Sequence, residues 1–145
     1  MDADGTHDPI NIADMINVIK KKSIDVVGTS RFLEKDSLKD WPYFRIVITK
    51  VRYYLVKLLL NTKYDSSGGF RCYNLRSVNQ KIFKLITNKN YFFLIESMYL
   101  LEKKGYKILD IAIKLKFRSA DQSKMRIFHI FESFYSLIKL RFKKI

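Results

Sequence analysis

Apolar residues recur at spacings of three and four between residues 44 and 59, and this is the strongest periodic signal in the chain. Such spacing places the residues in one stripe along a helix that ends near Asn61. The stripe consists of Phe44, Val47, Ile48, Val51, Leu55, Leu58 and Leu59. Because isolated helices are marginal in water, we expect the stripe to pack into the core of a folded domain.

Shorter patterns on both sides of this helix complete a mostly helical domain. The predicted elements are helices over 12–22, 28–39, 76–86, 93–104 and 121–142, a loop over 61–74 and a strand over 108–117. Gly105 ends one of these helices, since glycine tolerates the left-handed conformation of a helix stop. The sequence therefore predicts an α+β, helix-dominated single domain over 10–145, with a small late β-sheet and a disordered acidic tail over 1–9.

Charge and cysteine content exclude several classes of protein. The 145 residues include 28 Lys and Arg against 14 Asp and Glu, a net charge of +14, so we expect an anionic partner. The single cysteine excludes an internal disulfide framework and a cysteine-based zinc cage. No uncharged apolar run approaches the roughly 18 residues of a membrane span, and the acidic start lacks the pattern of a secretory signal. We therefore expect a protein of a reducing compartment, cytoplasmic or nuclear, without a membrane span.

The residue types that carry catalysis are scattered along the chain. His7 lies in the predicted tail and His129 among apolar residues of the last helix, and neither has a second ligand at metal-binding spacing. Cys72 has Arg71 and Arg76 nearby, which lower a thiol pKa, but no base accompanies it. We find no catalytic constellation and no phosphate-binding loop, so the sequence predicts a non-catalytic protein without a metal or cofactor.

One ordered series of motifs extends across most of the chain. The motifs are Asn61 at a helix end, Leu75-Arg76-Ser77-Val78-Asn79 with Ile82-Phe83, Gly105-Tyr106 at the close of a later helix, and Asp121 before a last helix. Their order resembles the PUB domain, a module shared by peptide:N-glycanase and UBA- or UBX-containing proteins. The resemblance covers residues 44–142 and implies a PUB-like fold. The loop after Asn61 is longer than in that family and carries Gly68-Gly69.

The resemblance implies a peptide-binding adaptor of the ubiquitin and protein quality-control system, including ER-associated degradation. PUB domains bind the acidic C-terminal tail of the valosin-containing AAA ATPase, which a basic surface would attract. By that resemblance Arg76 pairs with a carboxylate of the tail and Asn79 hydrogen-bonds its backbone. The further implied pocket or rim residues are Asn61, Phe70, Arg71 and Tyr73. A helix cap is the alternative role for Asn61, and core packing is the alternative for Phe70 and Tyr73.

Nucleic acid is the alternative partner, because the basic residues fall into clusters. The clusters are Lys20-Lys21-Lys22, Lys103-Lys104-Lys107 and Lys139/Arg141/Lys143/Lys144. The segment Ile108–Phe131 also resembles the second helix-turn-helix of AraC-type regulators. A small basic nucleic-acid-binding protein is therefore the second functional hypothesis.

Overall fold

The computed structural model describes residues 7–39, 41–88, 90–114 and 127–143, and for 127–132 it describes the backbone alone. The elements are α1 (Asn11–Lys22), β1 (Val26–Ser30), α2 (Tyr43–Leu60), β2 (Cys72–Tyr73), a short 3-10 helix (Gln80–Leu85), α3 (Phe92–Lys103), β3 (Ile108–Ala112) and α4 (Ile127–Arg141). The predicted α+β, helix-dominated domain is confirmed at this level. Most of the predicted tail, residues 1–6, lies outside the described residues, as does Asp121.

A three-stranded sheet lies at the centre, in the order β2-β1-β3. The central strand β1 is antiparallel to β2, with Val26 opposite Tyr73. It is parallel to β3, with Gly28 opposite Asp110 and Ser30 opposite Ala112. The prediction of a helix over 28–39 is therefore wrong, and the sheet is not confined to the late part of the chain. All five residues of β1 are buried, and a short run buried on both faces shows no alternation by which a strand can be recognised.

The two faces of the sheet carry different helices, because successive side chains of a strand point to opposite faces. Val26 packs with Met98 and Leu101 of α3. Val27 packs with Met15 of α1 on the other face. A third cluster joins the remaining helices through Val56, Leu60, Phe92, Ile95, Tyr99, Leu137 and Leu140. The domain is thus layered from α1 through the sheet to α3, with α2 and α4 packed on α3.

Helix α2 presents a different face to the core from the one expected. Its buried residues are Val56 and Leu60. Four members of the predicted stripe are instead solvent-exposed: Phe44 at 75%, Val47 at 39%, Val51 at 56% and Leu58 at 82%. Leu55 and Leu59 of the stripe are partly buried against the cluster that contains Val56 and Leu60. Periodicity identifies an apolar face but carries no information about what covers it, so the prediction that the stripe packs into the core is wrong for its exposed members.

Two helix ends follow the local chemistry of the chain. Asn61 ends α2 in the left-handed conformation, with φ of 50°, so its alternative role as a helix cap is confirmed. Gly105 has φ of 79° and ends α3 as predicted, and Tyr106 N donates to the carbonyl of Leu101 at 3.1 Å. The predicted helix over 76–86 forms only as the short 3-10 helix.

Candidate functional site

The candidate site lies where the two parallel strands end. Because β1 and β3 run in the same direction, their carboxyl ends meet at one edge of the sheet, beyond Ser30 and Ala112. The chain leaves β1 through Arg31 and reaches α2 at Tyr43. In open sheets with parallel strands, ligands bind in the crevice outside these carboxyl ends. This edge is therefore the candidate position for a ligand.

An acidic network occupies the edge, formed by the buried Ser30 and Asp65 and the half-buried Ser67 and Asp110. The carboxylate of Asp65 accepts a hydrogen bond from Ser30 Oγ at 3.1 Å. It also accepts bonds from Ser67 N at 3.0 Å and from Ser67 Oγ at 2.7 Å. The backbone N–H of Asp65 donates to Asp110 Oδ2 at 2.6 Å. Two carboxylates from distant parts of the chain are thereby held side by side.

Asp110 is the less satisfied of these carboxylates. Its Oδ1 is buried without a hydrogen-bond partner. Burial is the main reason that its pKa is raised from 3.8 to about 6, and the charge of Asp65 adds to the rise. The hydrogen bond from Asp65 and the positive charges of Arg71 and Lys57 lower the pKa by less. The same Oδ1 would lie 2.4 Å from a Cβ built on Gly28, so only glycine fits beneath it.

Basic and aromatic side chains adjoin the acidic network in what we call the basic corner: Arg31, Trp41, Arg45 and Arg52. The guanidinium carbon of Arg45 lies 4.5 Å from the Trp41 ring centroid, and that of Arg31 lies 5.7 Å from it. Arg52 is partly buried, and burial lowers its pKa. The charge of Arg31 lowers this pKa further, whereas Asp65 raises it. Arg52 therefore lies within reach of a like charge, that of Arg31, and of an opposite charge, that of Asp65.

An apolar groove between α2, α3 and α4 adjoins the basic corner, and Arg52 contributes to its wall. The other lining residues are Val56, Tyr91, Phe92, Ile95, Ser133 and Leu137. A cationic group beside an apolar groove suits a ligand with a charged head and an apolar chain.

Arg71, predicted as a rim residue, is directed into the domain. It donates from Nη1 to Ser97 Oγ and from Nη2 to the carbonyls of Ser66 and Leu94, each at 2.8 Å. These bonds tie the loop before β2 to α3. Gly68 allows this loop to approach β1, because a Cβ at that position would lie 2.7 Å from the Thr29 carbonyl oxygen.

The structure does not bring the other predicted site residues together at this edge. Arg76 is exposed in the turn after β2. Asn79 caps the 3-10 helix by accepting from Lys81 N at 3.0 Å. Phe70 is 3% exposed and packs on His7, with ring centroids 4.9 Å apart. Tyr73 lies edge-on to Phe83 at 5.5 Å. Core packing, the alternative role for Phe70, is confirmed.

Metal and thiol chemistry find little support in the part of the chain that is described. No group of three or more His, Cys, Asp or Glu residues there could hold a metal ion. Burial raises the pKa of the Cys72 thiol, which is the opposite of activation. Among the same residues, no helix combines the length and apolar character needed to cross a bilayer.

Two bacterial mannosyltransferases are similar to nearly the whole of this chain. Polyprenol monophosphomannose synthase of Mycolicibacterium smegmatis is 27% identical over 139 residues, which are 94% of this chain and 52% of that protein. Undecaprenyl-phosphate mannosyltransferase of Micrococcus luteus is 25% identical over 126 residues, 86% of this chain and 51% of that protein. The chain thus spans about half the length of these relatives. No family model matches it, and no solved structure does.

These relatives overturn the functional expectations from the sequence. The PUB resemblance is wrong, because the relatives that are similar to 94% and 86% of the chain are named as mannosyltransferases. The adaptor function and the unfoldase-tail partner are therefore wrong, and the nucleic-acid alternative has no support. The expectation of a non-catalytic protein is wrong as well, since both relatives are named as enzymes. The peptide-binding role of Arg76 and Asn79 is left without its ligand.

Sequence reasoning missed the residues that form the edge. Asp110 had a signal, because it is the one acid in the apolar strand Ile108–Ala112 and lies in the middle of it. A carboxylate at such a position must be buried with a partner or have a raised pKa. Nothing in the sequence distinguishes Arg31 and Arg52 from the many other basic residues of the chain.

Proposed function

We propose that this chain serves in the transfer of a mannosyl group to a polyprenyl phosphate. The observation that carries the proposal is the similarity of 94% and 86% of the chain to two enzymes whose names state this activity. The chain spans about half of each relative, so we assign to it only the part of the reaction that its described residues can support.

The acceptor phosphate is ionised by itself, so it does not need a catalytic triad to activate it. A phosphate monoester has a second pKa near 6, so it is largely ionised at neutral pH. One of its oxygens forms the bond to the anomeric carbon of mannose, while the bond from that carbon to the leaving group breaks and the leaving group keeps the electron pair. An acceptor that is already ionised needs positioning and charge compensation more than it needs a general base.

The basic corner and the groove beside it match the two parts of this acceptor. A phosphate beside Arg52 offsets the charge of Arg31, which comes after burial among the causes of the lowered pKa of Arg52. Guanidinium groups bind phosphate through paired, charge-assisted hydrogen bonds. The apolar wall adjoining Arg52, which includes Val56, Phe92 and Leu137, offers a surface for the first isoprene unit of the chain.

Binding of a short-chain polyprenyl phosphate tests this assignment through the fluorescence of Trp41, the only tryptophan in the chain. Trp41 contacts Arg31 and Arg45, so its emission reports on the basic corner. We expect Arg52→Met to weaken binding by about tenfold or more, because charged hydrogen bonds contribute roughly 1.5–3 kcal/mol each. Arg76→Met is the matched control, since it removes the same charge at an exposed turn.

The outcomes separate the possibilities. Equal weakening by both variants would mean that net charge alone attracts the ligand, and unchanged binding by Arg52→Met would place the phosphate elsewhere. The unphosphorylated polyprenol should bind weakly to the unchanged protein.

Radiolabel from an activated mannose donor should appear in the lipid extract when the protein is supplied with polyprenyl phosphate. Label that never reaches the lipid would refute the transfer activity.

A further inference from the structure

The exposed face of α2 carries a regular row of large apolar side chains, which we call the outer stripe. Its members are Phe44, Val47, Val51, Tyr54 and Leu58, with exposures of 75%, 39%, 56%, 65% and 82%. They follow one another at intervals of three and four residues, so they form a single row along the helix. Apolar patches of this extent on a soluble surface mark a contact with something outside the domain.

The charges of α2 are all of one sign. Arg45, Lys50, Arg52 and Lys57 lie along the helix, and no acid lies between Tyr43 and Leu60. Lys50 is exposed beside the outer stripe, and Arg45 is exposed on the first turn of the helix, where it stacks on Trp41. An apolar row flanked by lysine and arginine is the pattern of a helix that lies in the plane of an anionic membrane surface.

Charge also decides between a membrane and a second copy of the chain. Two copies that paired through the outer stripe would bring two uniformly basic helices together, in a protein whose net charge is +14. That repulsion opposes pairing, whereas an anionic lipid surface attracts the same charges. The helix does not cross the membrane, because no described helix is long and apolar enough.

We propose that α2 docks flat on an anionic lipid bilayer, with the outer stripe in the acyl boundary and its basic residues among the headgroups. The choice of a lipid as occupant rests on the proposed function, since a polyprenyl phosphate is itself a lipid. Arg52 belongs to both the docked helix and the basic corner, so docking holds the phosphate-binding groups at headgroup level. The opposite face of α2 stays anchored through Val56 and Leu60.

Co-sedimentation with vesicles tests the docking without using the reaction. The probe is vesicles of phosphatidylcholine containing phosphatidylglycerol, and they hold no polyprenyl phosphate. We expect the double variant Val51→Glu, Leu58→Glu to lower binding at least about tenfold, because it introduces two charges into the acyl boundary and reverses the attraction to anionic headgroups. Leu75→Glu is the control, since Leu75 is 60% exposed in the turn after β2.

Unchanged vesicle binding by the double variant would overturn the proposal. If the double variant instead converted a dimer into a monomer in sedimentation equilibrium while vesicle binding persisted, the outer stripe would be a self-association surface. If mannosyl transfer failed but vesicle binding still depended on Leu58, the docking would hold and the proposed function would fall. The two failures are therefore distinguishable.

A gentler variant guards against misfolding of the double variant. Cys72→Ser removes the only cysteine, and Leu58→Cys or Leu75→Cys then carries an environment-sensitive fluorophore. On vesicles we expect a blue shift of emission at position 58 and none at position 75. Emission at position 58 that stays at its value in water, while the protein sediments with the vesicles, would refute docking through the outer stripe.

Discussion

Glu96 on α3 and Asp110 on β3 are both carboxylates inside the same domain, and their environments shift their pKa values in opposite directions. Glu96 is 0% exposed and accepts hydrogen bonds from the backbone and side chains of Thr87 and Asn88, at 2.7–3.1 Å. Lys143 Nζ donates to it at 2.7 Å. Burial alone would raise the pKa of Glu96, but these bonds, that of Lys143 first, lower it to about 2. Asp110 accepts a hydrogen bond from Asp65 N but has an unpartnered Oδ1, and burial raises its pKa to about 6.

The difference separates a structural carboxylate from one at a candidate site. Every donor around Glu96 is supplied by the chain, and the pair with Lys143 ties the end of α4 to α3. Asp110 has an unpartnered oxygen at the sheet edge where the basic corner begins. Structural sites satisfy their polar groups, whereas sites for ligands leave some polar groups under-satisfied.

Glu96→Ala should change the stability of the domain more than the other variants considered below. The variant leaves Lys143 and the donors of Thr87 and Asn88 without their acceptor, so we expect the free energy of unfolding to fall by about 3–5 kcal/mol. Chemical denaturation at pH 7 measures it. Lys103→Ala on the same helix is the control, because Lys103 is exposed. A loss below about 1 kcal/mol would contradict the structural role of Glu96.

Asp110→Asn should raise the free energy of unfolding, where Glu96→Ala lowers it. The carboxyl ionises near pH 3.8 when unfolded and near pH 6 when folded, so its ionisation favours the unfolded chain and stability falls as pH rises through that window. Asparagine cannot ionise, and we expect the variant to be more stable at pH 7.5 by up to about 3 kcal/mol.

The pH profile of unfolding distinguishes this cause from a packing effect. The gain from Asp110→Asn should shrink below pH 6 and vanish below about pH 4, where the carboxyl is protonated in both states. A gain that does not change with pH, or a loss at pH 7.5, would show that burial of charge is not the cause.

The smallest effect should come from Lys143→Met. Glu96 keeps its bonds from Thr87 and Asn88, so we expect the loss to be about 1–2 kcal/mol. Stabilisation by the lowered pKa of Glu96 is present above pH 4.5 and disappears as pH falls through about 2. The loss should therefore be largest near neutral pH. Lys139 lies in the last turn of α4 and is exposed, so Lys139→Met should change the free energy of unfolding little.

The sequence predicts the local part of this fold and misses the long-range part. Helices α1, α2 and α3, the stop at Gly105 and a strand beginning at Ile108 all follow from patterns within a few residues. The strand β1 does not, because its identity depends on pairing with β3 far along the chain. Local propensity contains no information about such a partner.

The candidate site is less predictable than the fold for a related reason. Asp65 and Asp110 meet because β1 and β3 are adjacent. The charge of Arg52 acts on Asp65 from helix α2, whose buried face differs from the predicted one. Arg71 shows the same limit, since an arginine in a polar loop looks solvated but here binds two backbone carbonyls and Ser97. The resemblance to PUB domains rested on the order of helices, which many α+β folds share.

The pairing of β1 with β3 also sets an order of events during synthesis. Beside this pair, Lys107 N donates to Asp25 Oδ2 across 82 residues of chain. At about 5–20 residues per second, a ribosome takes roughly 4–16 s to make that length. Throughout this interval Val26 and Val27, fully buried in the finished fold, have no strand to pair with on their β3 side. The nascent chain is therefore most prone to aggregation early, and contacts of such long range make its folding slow.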